Sequence, residues 1–381
     1  MLTAGAATGT YLGTLAFFLL ITVLGVYLNK SLYTGDVKKR AETYVAARNT
    51  QGGFAIALSL FASGAGAWVL FTLPETAILG GPVAVVGYTV SGMVPLAIFG
   101  CIGPYMRRNL PEACTFFEYT KARYGTLVNV YCTLVSLFYM LLYLSAEFTS
   151  VGSCITVLSE LESPLGPVIA TSLVTLAYTS VGGLPVSLFT DKIQGVGILI
   201  FTVLVCVAGF GFYELPTSSD DEFVRANWEM VTTWGLGGTA ENSFKMAFIL
   251  ISAVTAASMM HSGFQQRIWA AQDNAAVRRG AALSVLFLIP FMILFGVLGM
   301  VAFAHFGIPG LVAVGPDNTY LAFLAFFFLI GAMPVAWQVL GIMLAVMLVA
   351  SSADTLQAGV AALLRPVTTK VTICKQMGDP F

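Results

Sequence analysis

The sequence predicts an all-α, polytopic membrane protein, and three observations carry that prediction. Of the 381 residues, 57% are hydrophobic and 10% charged, whereas an ordinary soluble domain is about 25% charged. The apolar residues arrive in blocks of about 20, the length that crosses a ~30 Å hydrocarbon core. Finally, the lysines and arginines crowd into alternate loops, as they do where basic loops stay on the cytoplasmic side.

Taken in chain order, the blocks place nine spans at 7–28, 53–73, 83–105, 127–153, 165–181, 193–213, 246–262, 282–305 and 335–363. The first has no basic segment before it and a long apolar run, so it reads as a retained helix and not as a cleaved leader. A further apolar run, Tyr320 to Met333, is short for a span and ends at Pro334; a re-entrant or outer-face helix is expected there. Under alternating topology one side holds 16 of the 18 basic residues: five in 29–52, four in 104–124, Lys192, three in 263–281 and three after 363. The other side holds only Arg225 and Lys245. The N-terminus is therefore expected outside. The acids Asp220, Asp221, Glu222 and Glu229 fall in the longest external loop.

Composition also excludes classes. A net charge of −1 leaves no basic face to neutralise phosphates, so no nucleic-acid partner is expected. The six cysteines form no CxxC pair and read as small core residues. His261 and His305 are isolated, which gives zinc chemistry no support. Glu75, Glu147, His261 and Asp354 show no catalytic spacing, so an intramembrane enzyme is not expected. The partners expected are a small-molecule substrate and the lipid bilayer.

Within the spans, three places stand out. The middle of 53–73 is crowded with Ser63, Gly64 and Gly66. Glycines there either unwind the helix and free carbonyls toward a cavity or ion, or form a small-residue packing face. Trp68 follows at mid-membrane depth, where it either covers a bound solute or packs against lipid. In the last span, Ser351 and Ser352 sit in an otherwise apolar run. They can offer two hard oxygens to a small cation or bond back to their own helix. Asp191 is placed in the first turn of the sixth span, where an acid suits the helix dipole.

Several stretches resemble the sodium/solute symporter family, the proline and urea or polyamine branches more than the sugar branch. Gly182-Gly183 followed by Thr190-Asp191 and Gln194 looks like that family's signature segment, Gln266-Arg267-Ile268-Trp269-Ala270-Ala271 is similar to its QRxxAA motif, and Ser351-Ser352 matches its paired hydroxyls. The resemblance implies two inverted five-helix repeats, each opening with a broken helix. The organisation expected is an outer N-terminus, first helix and cytoplasmic loop over 1–52, a first repeat over 53–213, an extracellular loop over 214–245, a partial second repeat over 246–365 and a cytoplasmic tail over 366–381. Thr255 to His261 would be the second unwound segment, and the fold would be truncated after the third helix of the second repeat. The resemblance further implies a sodium site from Ala62, Ala65, Leu348, Ser351 and Ser352, a cage of neutral oxygens. A solute site would involve Ser63, Gly66, Trp68, Met260 and His261. The expected activity is sodium-coupled symport of a small nitrogenous solute such as a proline-like amino acid, urea or a polyamine, in the plasma membrane. Na+ is the expected coupling ion, a proton the alternative. The alternative function is an uncoupled or degenerate homologue, acting as a sensor or a non-functional fragment.

Overall fold

Long apolar runs free of charge satisfy every backbone group internally only as helices, and that is what these residues build. The computed structural model describes residues 2–30, 36–159, 161–213, 217, 219–307 and 322–364. Helix α1 (Ala4–Leu28) starts at Thr3, whose side chain accepts the Ala6 N–H, and α2 (Val37–Ala46) starts at Asp36 in the same way. Next come α3 (Gly53–Gly64), α4 (Trp68–Asn109), α5 (Phe116–Leu158) and α6 (Leu165–Phe212). The chain continues through α7 (Glu222–Thr233), α8 (Ala240–Met259), α9 (Ser262–Ala270) and α10 (Asn274–Phe306). The last two are α11 (Ala325–Gly331) and α12 (Val335–Leu363). Seven of these are long and apolar enough to cross a membrane. Phe17, Leu20, Leu127, Phe138, Leu173 and Phe248 point outward, the reverse of a soluble surface and suited to lipid.

Helix α6 has 48 residues and would be about 72 Å long if straight, more than twice the hydrocarbon thickness. It reverses at Gly183, whose φ of 58° is open to glycine at no steric cost. Its first residues meet α1 near the start, through Tyr11 and the Pro167 carbonyl, while Phe189 lies against Gly25 near the end of α1. Its last residue, Phe212, packs on Trp337 at the start of α12. Gly81 (φ 66°) in α4 and Gly125 (φ 85°) in α5 break their helices likewise.

These findings correct four expectations. The span placed at 53–73 stops at Gly64 and resumes at Trp68, running on to Gly81. No loop separates the spans placed at 165–181 and 193–213, so Asp191 sits two turns inside a helix and is buried. The span placed at 246–262 extends to Ala270, in two pieces. Its unwound part is Met260 and His261 alone, because Thr255 to Met259 keep their helical ladder. Of the apolar run from Tyr320, the described residues form the short helix α11; Tyr320 itself, the basic residues after 364 and the segment 366–381 lie outside the described residues.

The basic residues gather at one end. Arg48 donates to the carbonyls of Pro111, Glu112 and Ala113, Arg107 to Asn49 and Lys192 to Gln51. At the other end Leu2 donates to the Leu158 carbonyl, and Leu158 lies against Gly331 and Gly341. Arg267, counted above with a loop, is instead wholly buried in α9. With the basic end inside, a cysteine at the exposed Arg278, in a chain lacking its native cysteines, is expected to escape an impermeant maleimide in intact cells. Labelling without permeabilisation would reverse the orientation.

Candidate functional site

Two helix breaks define the site. The first lies between α3 and α4, over Ala65, Gly66 and Ala67. Among the described residues no hydrogen bond takes the carbonyls of Ala62, Ser63, Gly64 or Ala65, which the unwinding has released. The freed Ala67 N–H is taken at 2.9 Å by Glu147, reaching in from α5. A glycine at 66 is what admits that carboxylate, because a Cβ there would stand on the Glu147 side chain. The second break lies between α8 and α9. There the Met260 carbonyl accepts from the Ser136 hydroxyl at 2.6 Å, and His261 leads into α9 with both ring nitrogens unpartnered.

Helix α12 passes beside both breaks, packing on α3 and α9. Ser351 donates to Asp191 Oδ1 at 3.0 Å, whereas the Ser352 hydroxyl has no partner of good geometry. Asp191 Oδ2 receives Ser59 at 2.5 Å and the Arg267 guanidinium at 2.7 Å. Arg267 also donates to the Ser59 hydroxyl, the Thr355 hydroxyl and the Gly263 carbonyl. A second buried acid, Asp354, accepts from Ser187 at 3.0 Å and Thr190 at 3.2 Å. Three segments far apart in sequence, around Asp191, Arg267 and Ser351, thus meet in one buried polar cluster.

A cavity of about 230 Å³ opens between the breaks, lined by Gly64, Trp68, Tyr88, Tyr139, Tyr143 and Phe264 among others. Trp68 and Tyr88 stack at 5.2 Å between ring centroids, and His261 stacks on Phe264 at 4.1 Å. Of the residues assigned to a solute, Trp68 stands on this wall. His261 lies behind the wall, Ser63 bonds back to the Ser59 carbonyl, and Gly66 and Met260 belong to the breaks. Of those assigned to sodium, Ala62 and Ala65 present free carbonyls, while the Leu348 carbonyl faces along the ladder of α12. The oxygens are less isolated from charge than the sequence implied: Asp191 touches Ser351, and Glu147 stands beside Ser352 and Tyr143.

Glu147, Tyr88, Tyr139 and Tyr143 were not legible as site residues. The one signal was an acid in the middle of an apolar span, which marks function by default even where no partner is near it in sequence.

A helix broken near mid-membrane in each half of an all-helical bundle is the architecture of secondary transporters built on inverted repeats. The chain belongs to the sodium:solute symporter family, whose model matches residues 44–367. A spermidine transporter of Candida albicans is 28% identical over 323 residues, which is 84% of this chain and 58% of that protein. The sodium/sialic acid symporters of Aliivibrio fischeri and Proteus mirabilis are each 25% identical, over 55% and 57% of this chain. The chain spans between 42% and 58% of the length of these relatives. A solved substrate-bound, outward-open Na+-coupled sialic acid symporter superposes with a TM-score of 0.74 at 18% identity, covering 98% of this chain and 76% of that one. The protein is thus an integral, multi-pass membrane protein of a transporter family, and its relatives are transporters rather than enzymes.

Proposed function

We propose that this chain forms the ion- and solute-binding part of a symporter that couples inward sodium movement to uptake of a small nitrogenous organic solute by alternating access. In this reading α3 to α6 are one repeat and α8 to α12 begin its inverted counterpart. The observation that carries it is a pair of half-sites: the free carbonyls of Ala62 and Ala65 at the first break, and the hydroxyls of Ser351 and Ser352 on the neighbouring α12. Ser351 donates its hydroxyl hydrogen bond to Asp191, so its lone pairs are turned away from that acid and available to a cation. The Leu348 carbonyl keeps a second lone pair beyond its helix bond. Such oxygens suit a hard monovalent ion, and Trp68 sits on the cavity wall where a solute would lie. The spermidine transporter among the relatives favours a nitrogenous solute.

The test is uptake of labelled proline, urea and putrescine with sodium or potassium as the bath cation. Replacing both Ser351 and Ser352 by alanine removes two of five ligands. At roughly 1–3 kcal/mol for an unmet polar contact, the sodium needed for half-maximal uptake is expected to rise about tenfold or more at unchanged surface expression. A sodium dependence that overlays that of the parent would place the ion elsewhere.

A further inference from the structure

Glu147 is fully buried, and among the described residues no cation pairs with it. One oxygen accepts the Ala67 N–H at 2.9 Å; the other has no partner of good geometry, with only the neutral hydroxyls of Ser352 and Tyr143 beside the acid. The buried guanidinium of Arg267 is engaged with Asp191, Ser59, Thr355 and Gly263. Among the described residues no lysine or arginine lines the cavity on whose wall Trp68 and Tyr143 stand, with Glu147 behind them. An ionised acid kept at this depth without a charged partner is costly, and a positive charge brought from outside would offset that cost.

The surroundings say which kind. Trp68 and Tyr143 both belong to the cavity wall and both flank the carboxylate: a Cβ at Gly66 would touch Glu147 and Trp68 together, and the Tyr143 hydroxyl stands beside the acid. Tyr88, Tyr139 and Phe264 continue the wall with further rings. Aromatic faces attract an organic cation while covering its methylene body. A bare metal ion, by contrast, seeks a shell of hard oxygens. The Trp68 indole N–H has no partner of good geometry and stands beside the Tyr143 hydroxyl.

Building on the symporter reading above, we propose that Glu147 is the counter-charge for an ammonium group of the solute, and that the transported class is alkylammonium, including polyamines, rather than neutral or zwitterionic solutes. The ammonium group sits between Trp68 and Tyr143 against the Glu147 oxygen that Ala67 does not take, with its carbon chain along Tyr88, Tyr139 and Phe264.

The experiment is equilibrium binding of labelled putrescine and labelled urea to the purified protein in detergent, in sodium or potassium chloride. Glu147→Gln keeps an acceptor for the Ala67 N–H and removes only the charge. It is expected to weaken putrescine binding at least tenfold while the half-saturating sodium concentration moves less than twofold; Glu147→Asp should recover part of the affinity. Elution profile and thermal unfolding check that both variants are folded. A measurement on the parent protein needs no variant: choline should displace putrescine at least tenfold better than its neutral isostere 3,3-dimethylbutan-1-ol. The proposal is overturned by parental putrescine affinity in Glu147→Gln, by equal competition from choline and the isostere, or by a joint loss of sodium and solute affinity, which would put Glu147 in the ion site. Sodium-dependent binding of urea without putrescine would overturn it and leave the symporter reading standing. Putrescine binding of equal strength in potassium, still lost in Glu147→Gln, would uphold Glu147 and refute sodium coupling.

Discussion

Replacing Arg267 by methionine is expected to abolish recovery of folded protein. The Arg267 and Asp191 side chains are both wholly inaccessible and 2.7 Å apart, and the guanidinium also holds Ser59, Thr355 and the Gly263 carbonyl. Removing one member of such a pair strands the other as an uncompensated buried charge, at about 3–5 kcal/mol. That is a large share of the 5–15 kcal/mol that usually separates folded from unfolded protein. The second acid, Asp354, deepens the effect, since it is linked to the same cluster through Thr355. Detergent-extracted variants would be compared by monodisperse yield and melting temperature. Adding Asp191→Asn to Arg267→Met should restore much of the loss, because the charge left behind is then gone. If Arg267→Met alone melts with the parent, the pair does not hold α9 to α6.

Gly66→Ala is expected to cripple transport while Gly64→Ala, two residues away, is tolerated. A Cβ at 66 would overlap the Glu147 carboxylate and come within 2.7 Å of the Trp68 ring, whereas at 64 it meets only the tip of Phe264 at 3.4 Å. Overpacking of this kind costs about 1–3 kcal/mol. Because the displaced group is Glu147, the Ala67 N–H loses its acceptor and the first break loses its brace. Uptake at matched surface expression should fall at least tenfold in Gly66→Ala and less than about threefold in Gly64→Ala. Equal activity in the two would show that Glu147 need not approach the break.

Much of the bundle could be read from hydropathy, because a membrane crossing is a property of about 20 consecutive residues. Val335–Leu363 was placed to the residue, and the glycines near 64 and 66 marked a weak point that is in fact broken. What escaped depends on residues distant in sequence or on single dihedral angles. Glu147 lies 80 positions from the amide it caps, so no local pattern could show that it supports the break. Gly183 reverses the chain without a polar loop, so the hydropathy profile offered only a vague dip, and Asp191 was assigned to a helix start. Arg267 was counted as a loop residue because a lone arginine near the end of an apolar run looks like a flank; its acceptors come from α3, α9, α6 and α12. The motifs around Asp191, Arg267 and Ser351 were each visible. Their convergence was not.

The one-residue turn at Gly183 has a mechanical side. Two helices joined by a long loop can slide past each other or splay, but the limbs of α6 share a single joint with no slack. The Tyr44 ring fills the place where a Cβ would stand on that glycine, so even the joint is wedged. Phe212 on Trp337 and Asp191 on Ser351 both lie beyond that joint, on the second limb of α6. One uninterrupted helix therefore ties the end of the bundle where α12 begins to the buried ion pair.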